Sequence, residues 1–185
     1  SHANGLSTHV WITLDASSKL PEGPIKELVD DPAYRDMLIS GTMFPDGGYA
    51  VGDNYGEIAH WEPFQVSYID WIRRNYSEPW SAEAKQHIAF VLGMTSHGMA
   101  DQVFDSLYME RAERFDSESD WANKSMDEAT DVAFVSVVGA QTVPARWLPI
   151  DALIEIFRDD AGYTVDSTTL NRGQNLVGLA VAVVG

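Results

Sequence analysis

The stretch SAEAKQHIAFVLGMTSHGMADQVFDSLYMERAERF, residues 81–115, decides the fold class. It contains no proline, most of its residues favour helix, and Ser81 stands where an N-cap belongs. It predicts one helix from Ser81 to about Phe115, long for a globular protein. Within it His97, Asp101 and Asp105 follow one another at intervals of four. Four helical residues leave an angular offset of about 40°, so the three side chains form a gently curving ridge. Met94, Met99, Val103, Phe104 and Leu107 make much of the surrounding surface apolar. An unpaired carboxylate is costly in such a setting, and a cation offsets that cost. The plain alternative is that Asp101 and Asp105 face solvent and His97 is a satisfied core histidine.

Outward from this stretch the helical character recurs. Val10–Lys19 reads as a helix, and Ile25–Ser40 as one or two short helices interrupted at Asp31-Pro32. Trp61–Asn75 is amphipathic, with Pro63 in its first turn. Met126–Ala140, Ile150–Arg158 and Thr168–Val184 complete the set. GTMFPDGGYAVGDNYG, Gly41–Gly56, reads as a long loop whose Gly47-Gly48 pair permits close approach or positive φ. Long ordered loops often carry function. DSESDWANKS, Asp116–Ser125, is a polar loop. There are no repeats and few strand-like alternations, so the class is all-α, one domain over residues 4–185. LVGLAVAVV, Leu176–Val184, is too short to span a bilayer and reads as a buried helix end. The apolar finish leaves room for a further C-terminal domain in a longer protein.

The 185 residues are 45% hydrophobic and 11% aromatic, which excludes a disordered chain. A formal net charge of −16 repels nucleic acid and anionic membranes at long range, so no stable nucleic-acid complex is expected. A phosphate substrate stays open, because bound cations reverse the local field. With no cysteine, any metal site must use His, Asp, Glu and backbone. Candidates outside the long helix are His9 in LSTHV, Asp46 in FPDGGY and His60 in EIAHWEPF. Each has an ordinary reading: a surface histidine, a turn former after proline, a helix-start residue. Together they supply three imidazoles and several carboxylates, enough for more than one metal.

LSTHV, FPDGGY, HWEPF and FVLGMTSHGMADQVFDSL occur in that order. Over roughly Asn4 to Phe134 the chain resembles the zinc-dependent phospholipase C family, most closely the glycosylphosphatidylinositol-specific phospholipase D catalytic domains. It is more distantly similar to the fungal single-strand nucleases of the same all-helical, trinuclear-zinc fold. The resemblance implies that Asp46, His60, His97 and Asp101 bind one metal. It implies that Asp101 bridges to a second, held also by His9 and by the amine and carbonyl of a mature first residue. Ser1-His2-Ala3 fits the end of a signal peptide, or a cloning scar. Cleavage after Ala3 would make Asn4 that first residue and the protein secreted or periplasmic.

The third site of the family departs here. Its usual histidine is replaced by Asp105, and its later pair aligns with Asp127 and Asp131, Glu128 competing. An all-carboxylate site favours magnesium, calcium or manganese, or stays empty. The alternative for these residues is an acidic helix start.

The implied activity is hydrolysis of a phospholipid headgroup, C-type or D-type, with two or three zinc ions, and Asp46 orienting or deprotonating the attacking water. Phe44, Tyr49, Tyr55, Trp61 and Phe64 would line a cleft for lipid or stack on nucleobases, although core packing is the commoner fate of Trp61 and Phe64. His87 reads as structural. The rival functions are a single-strand nuclease or nucleotidase, and a metal-stabilised binding domain without turnover.

Overall fold

In the computed structural model, which describes residues 5–104, 106, 107 and 131–184, every regular element is helical. The chain forms α1 (Leu6–Ser18), α2 (Pro24–Asp30), a single 3-10 turn (Pro32–Tyr34), α3 (Arg35–Val51), α4 (Tyr55–His60), α5 (Glu62–Asn75) and α6 (Ala82–Phe104). Residues 131–138 form α7, followed by α8 (Ile150–Asp159) and α9 (Ser167–Val184). No strand occurs among the described residues, as the sequence pattern predicts.

The long helix is the axis. Ser81 caps it, its hydroxyl accepting the Ala84 N–H at 3.1 Å. Helix α6 touches each of α1 to α5, most extensively α3. The α3–α6 crossing rests on reciprocal glycines. A Cβ on Gly41 would lie 2.0 Å from the Phe90 carbonyl oxygen, and one on Gly93 would lie 2.0 Å from that of Leu38. No larger residue lets the two backbones meet so closely.

The Gly41–Gly56 segment is not a loop. Helix α3 runs through it, Pro45 included, to Val51 and stops at Gly52, whose φ of 71° is left-handed. The low helix propensity of its glycines is overridden by burial. Gly47 packs against Tyr55 and Gly173, and Gly48 against Gly56. Low propensity therefore marks close helix contact here rather than a break.

The main core gathers Phe44, Tyr55, Phe64, Tyr68, Phe90 and Phe157 from α3 to α6 and α8. Phe64 stacks on Phe157 at 4.2 Å between centroids. A second core packs Val10, Ile39 and Met43 against Val177 and Val181 of α9. The apolar end of α9 is thus buried on one face alone, since Leu179 and Val183 are exposed. The expected buried helix end is half right: its hydrophobic residues run all round the helix, but only one stripe meets α1 and α3. Helical structure past residue 107 toward Phe115, and the polar loop Asp116–Ser125, lie outside the described residues. No described helix is long and apolar enough to cross a membrane.

Candidate metal centre

Four helices deliver five side chains to one place. His9 comes from the second turn of α1, Asp46 from the middle of α3, His60 from the end of α4, and His97 and Asp101 from α6. The i, i+4 spacing sets the last two on one face of α6, aimed at α3 and α4. Gly98 lets that face come close, because a Cβ there would sit 2.3 Å from the His60 carbonyl oxygen. Gln65 Nε2 donates to the same oxygen at 3.0 Å and pins the α4–α5 junction.

The hydrogen bonds around the two imidazoles determine what they offer. His60 Nδ1 lies 2.6 Å from the Gly56 carbonyl oxygen, and His97 Nδ1 lies 2.7 Å from that of Thr42. A carbonyl only accepts, so each Nδ1 carries a proton, and each neutral ring presents a lone pair at Nε2. Those two Nε2 atoms are 3.0 Å apart. Asp101 Oδ2 lies 3.2 Å from His97 Nε2 and 3.4 Å from His60 Nε2. Asp46 Oδ1 lies 3.6 and 3.4 Å from the same atoms. Four acceptors therefore converge, and a cation, whether proton or metal ion, must stand among them.

His9 extends the cluster. Its ring stacks on His97 with centroids 3.7 Å apart and planes 13° from parallel. Its Nε2 is 2.9 Å from Asp101 Oδ1. Yet both ring nitrogens of His9 and both oxygens of Asp101 are buried with no partner at hydrogen-bonding geometry. Orphaned buried ligand atoms at such distances fit a metal ion. Among the described residues two groups stand close enough to hold one, His9 with Asp46 and His97, and His60 with His97 and Asp101.

The electrostatics follow from this crowding. Burial, the largest influence on Asp101, raises its pKa, but the surrounding His60, His9 and His97 together hold the carboxyl well below the usual range. Burial likewise opposes ionisation of Asp46, and His97, His60 and His9 outweigh it, lowering the pKa. Burial, then His9, push His97 down. Burial also pushes His60 down, but Asp101, Asp46 and the Gly56 carbonyl outweigh it and carry the imidazole up to about 9. One proton thus belongs on His60 when no metal is bound.

At the rim, Glu57 accepts from Tyr49 Oη at 2.5 Å and from Trp61 Nε1 at 2.8 Å. The Tyr49 ring lies against His60, centroids 4.9 Å apart.

No protein-family model and no solved structure matches the chain. Among characterised proteins it is similar to phosphatidylinositol-glycan-specific phospholipase D of Rattus norvegicus, 34% identical over 176 residues, 85% of this chain and 20% of that protein. The Mus musculus protein of the same name is 33% identical over 172 residues, with the same shares, 85% and 20%. That of Dictyostelium discoideum is 38% identical over 74 residues, 39% of this chain and 8% of its own. The chain is a relative of phosphatidylinositol-glycan-specific phospholipase D. It spans about a fifth of the length of its rodent relatives.

Of the residues marked from sequence, His9, Asp46, His60, His97 and Asp101 come together. Asn4, Asp105 and Asp127, with Glu128, lie outside the described residues. Asp131 does not join either ligand group. Its carboxylate accepts from Thr8 N at 2.8 Å, Thr8 Oγ1 at 2.7 Å and Ser7 N at 3.3 Å. Gly5, the N-cap of α1, has no side chain, so Asp131 caps that helix from across the fold. Phe44, Tyr55 and Phe64, expected at a cleft, lie in the core, at most 2% exposed, because their rings pack on one another and on Phe157. Trp61 is the reverse, 42% exposed where core packing is the commoner fate. His87 is structural, its Nδ1 2.9 Å from Tyr68 Oη among aromatics.

Sequence reasoning missed Glu57 and Gln65. Glu57 lies four residues before Trp61, a helical pairing that was readable. Gln65 had no such signal.

Proposed function

We propose that the cluster holds a divalent metal and hydrolyses the headgroup diester of a phospholipid. The observation that carries this is the meeting of two imidazole Nε2 atoms at 3.0 Å, both Nδ1 protons already committed to backbone carbonyls. Three imidazoles and two carboxylates suit zinc, with His97 and Asp101 at the centre of the donor set. A bound cation lowers the pKa of water and neutralises phosphoryl charge.

The protein's own contribution is placement. His60 and His97 are fixed in the ligand tautomer by Gly56 and Thr42. Asp46 is the member that reaches out of the cluster, its side chain 18% exposed against 0–3% for His9, His60, His97 and Asp101. It is low in pKa and therefore ionised, which suits it to accept a hydrogen bond from an attacking water and orient it. The water oxygen then bonds to phosphorus as the headgroup oxygen leaves and is protonated. The names of the relatives direct cleavage to the D side, giving phosphatidate and a free headgroup alcohol.

The test is a metal-replete assay on phosphatidylinositol, phosphatidylcholine and single-stranded DNA, with products separated and metal counted. Turnover of lipid to phosphatidate supports the reading; cleavage of DNA alone replaces it with a nuclease. A second reading is a metal-stabilised domain without turnover, which the contacts of Asp131 favour, since both its oxygens are engaged by Ser7 and Thr8. Full metal occupancy with no turnover on any substrate would establish it.

A further inference from the structure

The His9 ring is fully buried, yet neither of its nitrogens has a partner at hydrogen-bonding geometry. Its place over His97 therefore depends on how α1 sits against α3 and α6. Two sets of contacts fix that helix on either side of His9. At its start, Asp131 takes the N–H groups of Ser7 and Thr8 and the Thr8 hydroxyl. One turn beyond His9, on the same face, Thr13 makes a second fixed point. Thr13 Oγ1 donates to Ser96 Oγ at 2.8 Å, and Thr42 Oγ1 donates to Thr13 Oγ1 at 3.1 Å. Three hydroxyls from α1, α3 and α6 thus form a chain across the bundle.

Each of the three adjoins a ligand. Thr13 is four residues after His9, Thr42 four before Asp46, and Ser96 next to His97. The Thr42 carbonyl also takes the His97 Nδ1 proton at 2.7 Å. A buried helical threonine has a ready partner in the carbonyl four residues back, and Thr42 Oγ1 lies 3.0 Å from Leu38 O. Thr13, 2% exposed, crosses to α6 instead. That bond adds nothing within α1; what it fixes is register. A slip of α1 by one residue moves His9 about 1.5 Å along the helix. That is enough to part its Nε2 from Asp101 Oδ1, 2.9 Å away.

We propose that Thr13, through Ser96 and Thr42, is a positioning residue of the metal centre: it sets the register of α1 so that His9 stands over His97 before a cation binds. This rests on the metal-binding reading above. Ligands already in place lose less freedom on binding than ligands that must be gathered.

The test uses the full chain with Thr13→Val, which keeps the shape and removes the hydroxyl, and Thr13→Ser, which keeps the hydroxyl. Ser96→Ala removes the same bond from its half-buried end, so the outcome does not hang on one variant folding. Ser17→Ala is the control, because its hydroxyl donates within its own helix, to the Thr13 carbonyl at 2.7 Å. Competition titration with a zinc indicator reads affinity. Denaturant unfolding of chelated protein reads the fold alone. Imidazole nitrogen resonances of the metal-free protein read the surroundings of His9 and His97. The expected result is zinc affinity about tenfold lower in Thr13→Val and in Ser96→Ala, the low end for a contact that supports a metal ligand. Thr13→Ser and Ser17→Ala stay within about twofold of the parent, and the double variant Thr13→Val/Ser96→Ala is no worse than either single, since one bond is lost in all three. The His9 resonances shift in Thr13→Val and not in Ser17→Ala. Parental zinc affinity in Thr13→Val, or a loss confined to the stability of the chelated protein, overturns the proposal. So does an equal loss in Thr13→Ser, which would make the methyl group the contact that matters. If the parent binds no zinc, the metal-binding reading fails on its own, and the His9 resonances still decide whether Thr13 sets its place.

Discussion

Gly93→Ala tests whether the helix crossing, rather than the ligands alone, builds the metal centre. The added Cβ would lie 2.0 Å from Leu38 O and 2.7 Å from Thr42 N, where ordinary contacts begin at 3.4 Å. Helices α3 and α6 must therefore part by about 1.4 Å at this point, the difference between 3.4 and 2.0 Å. The opposing atoms are backbone and cannot turn aside. The cost belongs at the upper end of overpacking, about 3 kcal/mol. For a chain of this size that lowers Tm by roughly 6–12 °C. The same displacement acts on the Thr42 carbonyl that holds His97 at 2.7 Å, so zinc affinity falls about 10–100-fold. Gly178→Ala is the control. Its Cβ would meet nothing nearer than Val143 Cγ1 at 3.9 Å, and alanine improves the α9 interior by up to about 1 kcal/mol. Thermal unfolding with and without chelator, and competition titration with a zinc indicator, read both effects. A Gly93→Ala protein that melts with the parent, or a Gly178→Ala protein equally damaged, refutes the close-approach argument.

Removing Asp131 should destabilise by about 2 kcal/mol, because two backbone N–H groups and the Thr8 hydroxyl lose their acceptor. Denaturant unfolding of Asp131→Ala should show this loss equally in chelated protein; a loss seen only with metal present would make Asp131 a ligand instead. Chelation itself should lower the parent's Tm by roughly 5–10 °C, matching about 2.7 kcal/mol at a metal concentration of 100 Kd. His97→Ala should melt identically with and without metal, since both ligand groups contain that residue. Metal affinity should rise with pH, about tenfold per unit toward pH 9 and little beyond, because the metal displaces the proton that His60 binds with a pKa of about 9. The sign also runs through stability. The raised pKa stabilises the metal-free fold fully below about 6.5, and that contribution fades as pH rises through 9. Calorimetry in buffers of different ionisation heat counts the released proton; a flat affinity between pH 7 and 9 refutes the assignment.

What was legible in the sequence was whatever depends on local period. The Ser81 cap, the α6 start and the His97–Asp101 face follow from residues within one or two turns. The Gly41–Gly56 segment defeated the same logic, since its glycines answer to backbones on α4, α6 and α9 that no local pattern reveals. Hydrophobicity could not say on which side an aromatic falls: Phe44, Tyr55 and Phe64 lie in the core, and Trp61 lies outside it. Trp61 escapes the core because Glu57 draws its N–H outward. The contact of Asp131 with Thr8, 123 residues away, had no local signal.

The decisive physical point is the orientation of the three imidazoles. A buried histidine can be satisfied cheaply by one carbonyl at Nδ1 and one donor at Nε2. His60 and His97 have the carbonyl but turn Nε2 toward each other and toward Asp46 and Asp101, while His9 has neither bond. Hydrophobic side chains of the same volume would fill this space with less desolvation. An arrangement that forgoes that gain at five positions, on four helices brought together through glycine contacts, is accounted for by the cation it can hold. The rim supports the same conclusion, since Glu57 ties Trp61 and Tyr49 together beside the His60 ring.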